Sequence, residues 1–274
     1  MTATELTVVG MGMIGASAAL ALRPQFEQIS IVEPDDSHAE HALGTGQADR
    51  RVDEVPERTD AVLLACPSDR IAGWIAVLKD YPATIMDTGS VKGALVREVR
   101  EKAQRLPSNW VPCHPIAGLE RSGPMVADAD LFRGRKLILT PEAETATAHV
   151  ERARSWWQSA GALVEEMDAE DHDQVYARTS HLPHLLAFAY LLGIEESDLV
   201  HTGGGFRDFS RIGGSDPVMW SGVFERNAPA LLAALDEFEG HLGEFRQAIE
   251  TGDMDRCRSL IAAARARRSG EGSR

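Results

Sequence analysis

A short apolar run, Leu6 to Val9, leads directly into Gly10, Gly12 and Gly15 at G-x-G-x-x-G spacing, and this stretch constrains the chain more than any other. The run reads as a buried parallel strand, and Ala16 to Leu22 as the helix that the glycines open. Gly10 permits a tight turn, Gly12 lets a pyrophosphate approach the backbone, and Gly15 lets the helix pack closely on the sheet. Met13 and Ile14 complete the loop. The helix N-terminus would aim its free N–H groups at the phosphates. Three glycines at this spacing also describe a fortuitous turn, so the context matters. A second apolar run, Ile29 to Val32, ends at Glu33, where a carboxylate accepts hydrogen bonds from an adenosine ribose and repels a 2′-phosphate. No Arg or Lys follows in Pro34–Ser37, which predicts an NAD site rather than an NADP site.

The residues up to 168 alternate strand-like runs with helical patterns, the mark of a parallel sheet built from βα units. Ala61 to Ala65 ends at Cys66-Pro67-Ser68, Thr84 to Met86 ends at Asp87-Thr-Gly-Ser-Val-Lys92, and Trp110 to Cys113 ends at His114. Ligands of open parallel sheets bind beyond the carboxyl ends of strands. These three tips should therefore share one rim, with Cys66, Pro67 and Ser68 facing the cofactor. Lys136–Thr140 and Ala162–Met167 flank a helix around His149–Ser159 and are expected to complete the sheet. Ala117 to Arg135 reads as a loop-rich insertion.

From Ala169 onward strand signals vanish. Val175, Thr179, Leu182, Leu186 and Tyr190 follow helical spacing, interrupted at Pro183. Asp216-Pro217 is an N-cap with proline at the first helical position. Leu231, Leu235, Phe238, Leu242, Phe245 and Ile249 form a long apolar seam, either internal core or a subunit interface. The expected organisation is a Rossmann-type α/β dinucleotide-binding domain over residues 1–168, an all-α substrate and dimerisation domain over 169–268, and a disordered tail at 269–274.

The composition narrows the classes. A net charge of −14 without a basic stripe argues against nucleic acid, and the Arg265–Arg268 cluster suits the end of a last helix. The sequence lacks an uncharged apolar stretch of about 18 residues. Three cysteines without metal-type spacing fit a reducing compartment, so a cytoplasmic location is expected. An acidic protein that handles a small anion must concentrate its arginines locally.

They concentrate in Gly203-Gly-Gly-Phe-Arg-Asp-Phe-Ser-Arg-Ile212, where the glycines permit a non-helical backbone. Arg207 and Arg211 lie four residues apart, on one helical face, where a guanidinium fork takes a carboxylate bidentately. One is expected on substrate and the other in an ion pair with Asp208 or Asp216. His114 could accept the proton of a substrate hydroxyl while hydride leaves the same carbon, or simply be satisfied by its loop. Ser90 could bond the same hydroxyl, cap the helix starting near Val91, or do both. In Ser180-His-Leu-Pro-His184, the two imidazoles could in principle hold a metal, but no H-E-x-x-H pattern or third ligand accompanies them. They are expected instead against the cofactor cleft as neutral donors, with no metal.

In this order, Gly10-Met-Gly-Met-Ile-Gly15, Asp87-Thr-Gly-Ser-Val-Lys92, His114-Pro-Ile-Ala-Gly118, Ser180-His-Leu-Pro-His184 and Gly203–Ile212 resemble the prephenate/arogenate dehydrogenase family of tyrosine biosynthesis. The resemblance runs from about residue 6 to 250. It implies an NAD(P) domain followed by a helical domain that joins two subunits into a homodimer. It further implies that His114 is the catalytic acceptor and Ser90 its partner, that Arg211 binds a substrate carboxylate, and that Ser180 and His184 line the pocket. Trp220 would help close that pocket, and Glu120 would stand near its mouth. Leu119 and Gly213 depart from the family pattern, where threonine and alanine are usual, which bears on pocket shape. An appended regulatory domain is not expected.

The substrate implied is prephenate, with arogenate or an amino-substituted analogue as alternatives. A β-hydroxyacid-type dehydrogenase would need a lysine in its helical domain, and Lys136 is the last lysine here. A non-catalytic NAD sensor would need none of His114, Ser90 and Arg211.

Overall fold

Buried apolar strands joined by helices account for the first half of the chain. The structure, a computed structural model, describes residues 3–118 and 123–269. In chain order the strands are β1 (Ala3–Val9), β2 (Phe26–Val32), β3 (Arg50–Arg51), β4 (Ala61–Leu64), β5 (Thr84–Asp87), β6 (Trp110–Val111), β7 (Cys113–Pro115), β8 (Lys136–Leu139) and β9 (Leu163–Glu166). The first six form one parallel sheet in the order β3-β2-β1-β4-β5-β6. The reversal of order at β1 and β4 is the topological switch point of a doubly wound dinucleotide fold.

Helix α1 (Met13–Leu22) follows β1, α2 (Asp36–Gly44) follows β2, α3 (Ser68–Leu78) follows β4, and α4 (Lys92–Ala103) follows β5. Leu6, Val8, Ile29 and Ile31 share one core with Ala19 and Leu22 of α1 and with Trp156 and Trp157 of α5 (Thr147–Ser159). Val62, Leu64 and Ile85 share another with Ile71 and Ile75 of α3 and Leu95 and Val99 of α4. Each fully buried aliphatic side chain contributes roughly 1.5–3 kcal/mol.

The strands at residues 136 and 163 do not extend the parallel sheet. They form a separate three-stranded sheet, β7-β8-β9, with β7 antiparallel to β8 and β8 parallel to β9. The division falls at Pro112, which has no N–H to continue the ladder that β6 makes with β5. Beyond it, the strand turns its pairing to β8.

Helices α6 (Ala169–Tyr176) and α7 (Leu182–Leu192) are joined by a π turn, Ala177–His181. Pro183 therefore does not interrupt the helix as the sequence pattern suggested. The wider turn ahead of it accommodates a residue that cannot donate to the carbonyl four positions back. There follow α8 (Gly204–Ser210) and α9 (Pro217–Arg226), the latter capped by Asp216, whose carboxylate accepts the Met219 N–H at 2.7 Å.

By packing, the residues up to Asn227 form one compact unit. Residues from Ala228 form a second unit of α10 (Ala228–Glu250) and α11 (Met254–Ser269). On α10, Leu231 is buried while Leu242 and Ile249 are 56% and 64% exposed, so the apolar seam is only partly internal. Ser269 closes α11; the rest of the tail expected to be disordered, residues 270–274, lies outside the described residues.

Candidate active site

The glycine loop has the shape its spacing predicts. Gly10 sits at φ +94°, and a Cβ there would lie 2.7 Å from the carbonyl oxygen of Ala65. A Cβ on Gly15 would lie 2.0 Å from the Gly10 carbonyl oxygen, which is what close packing of α1 on the loop requires. A Cβ on Gly12 would meet nothing within 4 Å among the described residues, leaving a cradle open in front of the α1 N-terminus. The helix begins at Met13, three residues earlier than expected, so Met13 and Ile14 belong to its first turn.

Glu33 follows β2 directly. Its carboxylate accepts the Met11 N–H at 2.6 Å and the Asp35 N–H at 2.8 Å, tying the second strand end to the glycine loop. These residues fit a dinucleotide. Arg51 of β3 pairs with Asp36 at 2.6 Å and donates to the Pro34 carbonyl. The loop after Glu33 thus has a basic neighbour that its own sequence does not supply. Cys66 and Pro67 lead from β4 into α3 at Ser68, and burial pushes the Cys66 thiol up to about 12.

The loop after β5 is not wholly a surface loop. Lys92 and Asp87 are fully buried and paired at 2.5 Å, and the ammonium also donates to the Cys113 carbonyl at 2.6 Å. The other Asp87 oxygen accepts from Trp110 Nε1 at 3.1 Å and from the Cys113 N–H at 3.3 Å. This saturated carboxylate locks β5 to the strand that carries His114.

Ser90 does not cap α4, whose N-cap position is Val91. The cap comes from a distant residue. Asp173 of α6 accepts the Lys92 N–H at 2.8 Å through Oδ1 and the Gly93 N–H at 2.8 Å through Oδ2. Ser90 is partly buried and makes no side-chain hydrogen bond among the described residues.

His114 stands partly exposed in β7, with its Nδ1 2.8 Å from His172 Nε2. His172 is fully buried, and its Nδ1 lies 2.9 Å from Asp173 Oδ1. The His114 ring also meets Tyr176 edge-on, with centroids 5.0 Å apart. Burial first, then the neighbouring His172 ring, the Lys92 ammonium and His181, hold His114 well below the usual histidine range. It is therefore neutral at physiological pH.

Sequence reasoning passed over His172, Asp173 and Tyr176. The signal available was the four-residue spacing of His172 and Tyr176, which places both on one face of α6.

The two histidines read together as neutral donors have different roles. His181 is buried; its Nδ1 lies 3.0 Å from Asn227 Nδ2, which also donates to the Asp173 carbonyl. Desolvation holds His181 down at about 4. His184 Nδ1 donates to the Ser180 carbonyl at 2.8 Å, so its Nε2 is an acceptor, not a donor. Ser180 ends up beside His184 through this backbone bond.

The His184 ring stacks on Trp220, with centroids 3.6 Å apart. Trp220 is buried with Val91 and Ala94, and its indole N–H has no acceptor among the described residues. Burial lowers the His184 pKa, and the charge of Arg211 lowers it further, so Arg211 lies within electrostatic reach of this ring.

Arg207 is exposed and makes no ion pair with Asp208, nor does an Arg211–Asp216 pair form. The triple glycine serves no special backbone. Gly204 and Gly205 are helical, and Gly203 is extended at φ −110°. Gly213 is the tight position, since a Cβ there would meet Leu191 Cδ1 of α7 at 2.3 Å. Glu120 and Leu119 lie outside the described residues.

Comparison with known proteins identifies the family. The family model described as prephenate dehydrogenase, nucleotide-binding domain, matches residues 18–166, and that described as prephenate dehydrogenase, dimerization domain, matches residues 168–263. The chain belongs to the prephenate dehydrogenase family. It is an oxidoreductase whose dinucleotide-binding α/β fold precedes a helical dimerisation domain.

The chain is 33% identical to a cyclohexadienyl dehydrogenase of Zymomonas mobilis, over 92% of this chain and 90% of that one. It superposes with a TM-score of 0.89 on prephenate dehydrogenase from Aquifex aeolicus in complex with hydroxyphenyl propionate and NAD+, at 29% identity and covering 98% and 99% of the two chains. An arogenate dehydrogenase of Synechocystis superposes at 0.82, with 26% identity, covering 98% of this chain and 100% of that one.

Proposed function

We propose that this prephenate dehydrogenase family member oxidises prephenate to 4-hydroxyphenylpyruvate and carbon dioxide, with NAD as the acceptor. The observation that carries this reading is His114: an imidazole just beyond the carboxyl end of β6, its Nδ1 2.8 Å from His172 Nε2, on the strand rim that also carries the open cradle at Gly12. NAD held by the glycine loop and Glu33 would supply the acceptor for the hydride of the hydroxyl-bearing ring carbon. His114 accepts the hydroxyl proton as the O–H electron pair becomes a carbonyl. When the ring carboxylate leaves as carbon dioxide, its bonding pair enters the ring, and the proton held on His114 returns to the phenolic oxygen. No net proton is released.

Ser90 serves as the hydroxyl's hydrogen-bond partner. His184, Ser180 and Trp220 line the ring, and Arg211 neutralises a carboxylate that the −14 charge of the chain would repel. Prephenate is favoured over arogenate because the motifs offer no additional carboxylate for an ammonium. Glu120 is the residue that could change this. Comparison of kcat/KM for prephenate and arogenate by NADH formation tests the assignment; no turnover of either substrate would overturn it.

Arg211→Ala is expected to raise KM for prephenate by about 10–100-fold, the loss of one charge-assisted pairing. An unaltered KM would transfer the role to Arg207.

Preference for NAD over NADP rests on Glu33, with Cys66, Pro67 and Ser68 at the neighbouring strand tip. Arg51 is engaged by Asp36. Glu33→Ala should weaken NAD by roughly tenfold and narrow its advantage over NADP. An unchanged ratio of kcat/KM values would refute that placement.

The boundary at 168/169 separates the cofactor-binding half from the substrate-binding half, and the α10 seam supports a homodimer. A cytoplasmic location accords with the described residues, in which no helix is long and apolar enough to cross a membrane.

A further inference from the structure

We infer that Asp173 and His172 set the tautomer of His114, leaving the lone pair on its Nε2, and are thus positioning residues for the base. The inference rests on the reading of His114 as proton acceptor.

The hydrogen-bond inventory leaves one assignment. The Asp173 carboxylate accepts the Lys92 and Gly93 N–H groups at 2.8 Å each, at the positive end of α4. An ionised carboxylate only accepts, so His172 must carry its hydrogen on Nδ1, 2.9 Å from Asp173 Oδ1. Burial holds His172 below the usual histidine range, and a neutral imidazole with hydrogen on Nδ1 has its lone pair on Nε2. The 2.8 Å contact between that Nε2 and His114 Nδ1 needs one hydrogen, which His114 must supply. A neutral His114 with hydrogen on Nδ1 has its lone pair on Nε2, the nitrogen left for the substrate.

Nothing has to travel along this chain. As His114 takes the hydroxyl proton on Nε2, its Nδ1–H continues to donate to His172, which stays neutral. The groups facing His114 are His172, Lys92 and His181; those facing His172 are Asp173, Lys92 and Asp87. The contribution of the dyad is orientation and a fixed acceptor nitrogen, the role a buried carboxylate plays behind a catalytic imidazole elsewhere.

The test uses the full-length protein with isotope-labelled histidine side chains, and the His114 signal is identified by its loss in His114→Asn. The carbon and nitrogen shifts of His114 should report hydrogen on Nδ1 in the wild type. His172→Phe keeps an aromatic ring beside Tyr176 and removes both nitrogens. It should move His114 toward the Nε2–H form and lower kcat by about 10²-fold at unchanged KM for prephenate and NAD. His172→Gln retains an acceptor and should restore the Nδ1–H form and most of kcat.

An Nε2–H signal for His114 in the wild type would overturn the inference even if no variant folded, as would wild-type kcat in His172→Phe. A wild type with the Nδ1–H signal but no NADH formation from prephenate or arogenate would leave the tautomer assignment standing and overturn the proposed reaction instead.

Discussion

Replacing His114 by Asn is expected to lower kcat by about 10²–10⁴-fold, the span a general base supplies, while leaving the dissociation constant for NAD unchanged. The cofactor cradle is built from Gly10, Gly12, Gly15 and Glu33, none of which bonds to His114. The substitution removes a proton acceptor and spares the loop. Steady-state NADH formation gives kcat, and calorimetric titration gives NAD affinity. Turnover at the wild-type rate would dismiss His114 from the chemistry.

Lys92→Met is expected to destabilise the protein by about 3–5 kcal/mol, the cost of stranding a buried charge. Asp87 and Lys92 are both fully buried, so without the ammonium the carboxylate has no countercharge and no access to water. Urea unfolding measures the loss. Adding Asp87→Asn to Lys92→Met should recover most of it, because an amide carries no charge to strand. A single variant as stable as the wild type would show that the pair contributes nothing net.

The same substitution reaches the base. The Lys92 ammonium is the permanent positive charge among the groups that depress the His114 pKa. Its removal should raise that pKa and shift the acid limb of kcat/KM toward higher pH.

What could be read in the sequence was local. The turn at Gly10, the packing at Gly15, Glu33 after the second strand and the Asp216 cap each depend on residues within one short segment, where spacing carries the geometry. What could not be read depended on partners distant in the chain. Asp87 and Lys92 look like members of a polar rim loop until the strand carrying Trp110 and Cys113 closes over them. Asp173 looks like one more acidic residue of an exposed helix until the N-terminus of α4, some 80 positions earlier, is brought to it. Arg51 reaches the loop after Glu33 only through the pairing of β3 with β2. Conversely, the triple glycine at 203–205 suggested an unusual backbone that ordinary helical dihedrals make unnecessary. The candidate site residues from the helical half were proposed through motif resemblance. Their hydrogen-bond roles, such as the acceptor nitrogen of His184, emerged only with the fold.

Asp173 completes a helix and begins the hydrogen-bond chain that ends on His114, so two events are joined in one side chain. A molecule whose α6 has not yet docked has a frayed α4 and an imidazole of undecided protonation at the same time. Docking of α6 therefore closes the α4 N-terminus and fixes the hydrogen on that imidazole in one step.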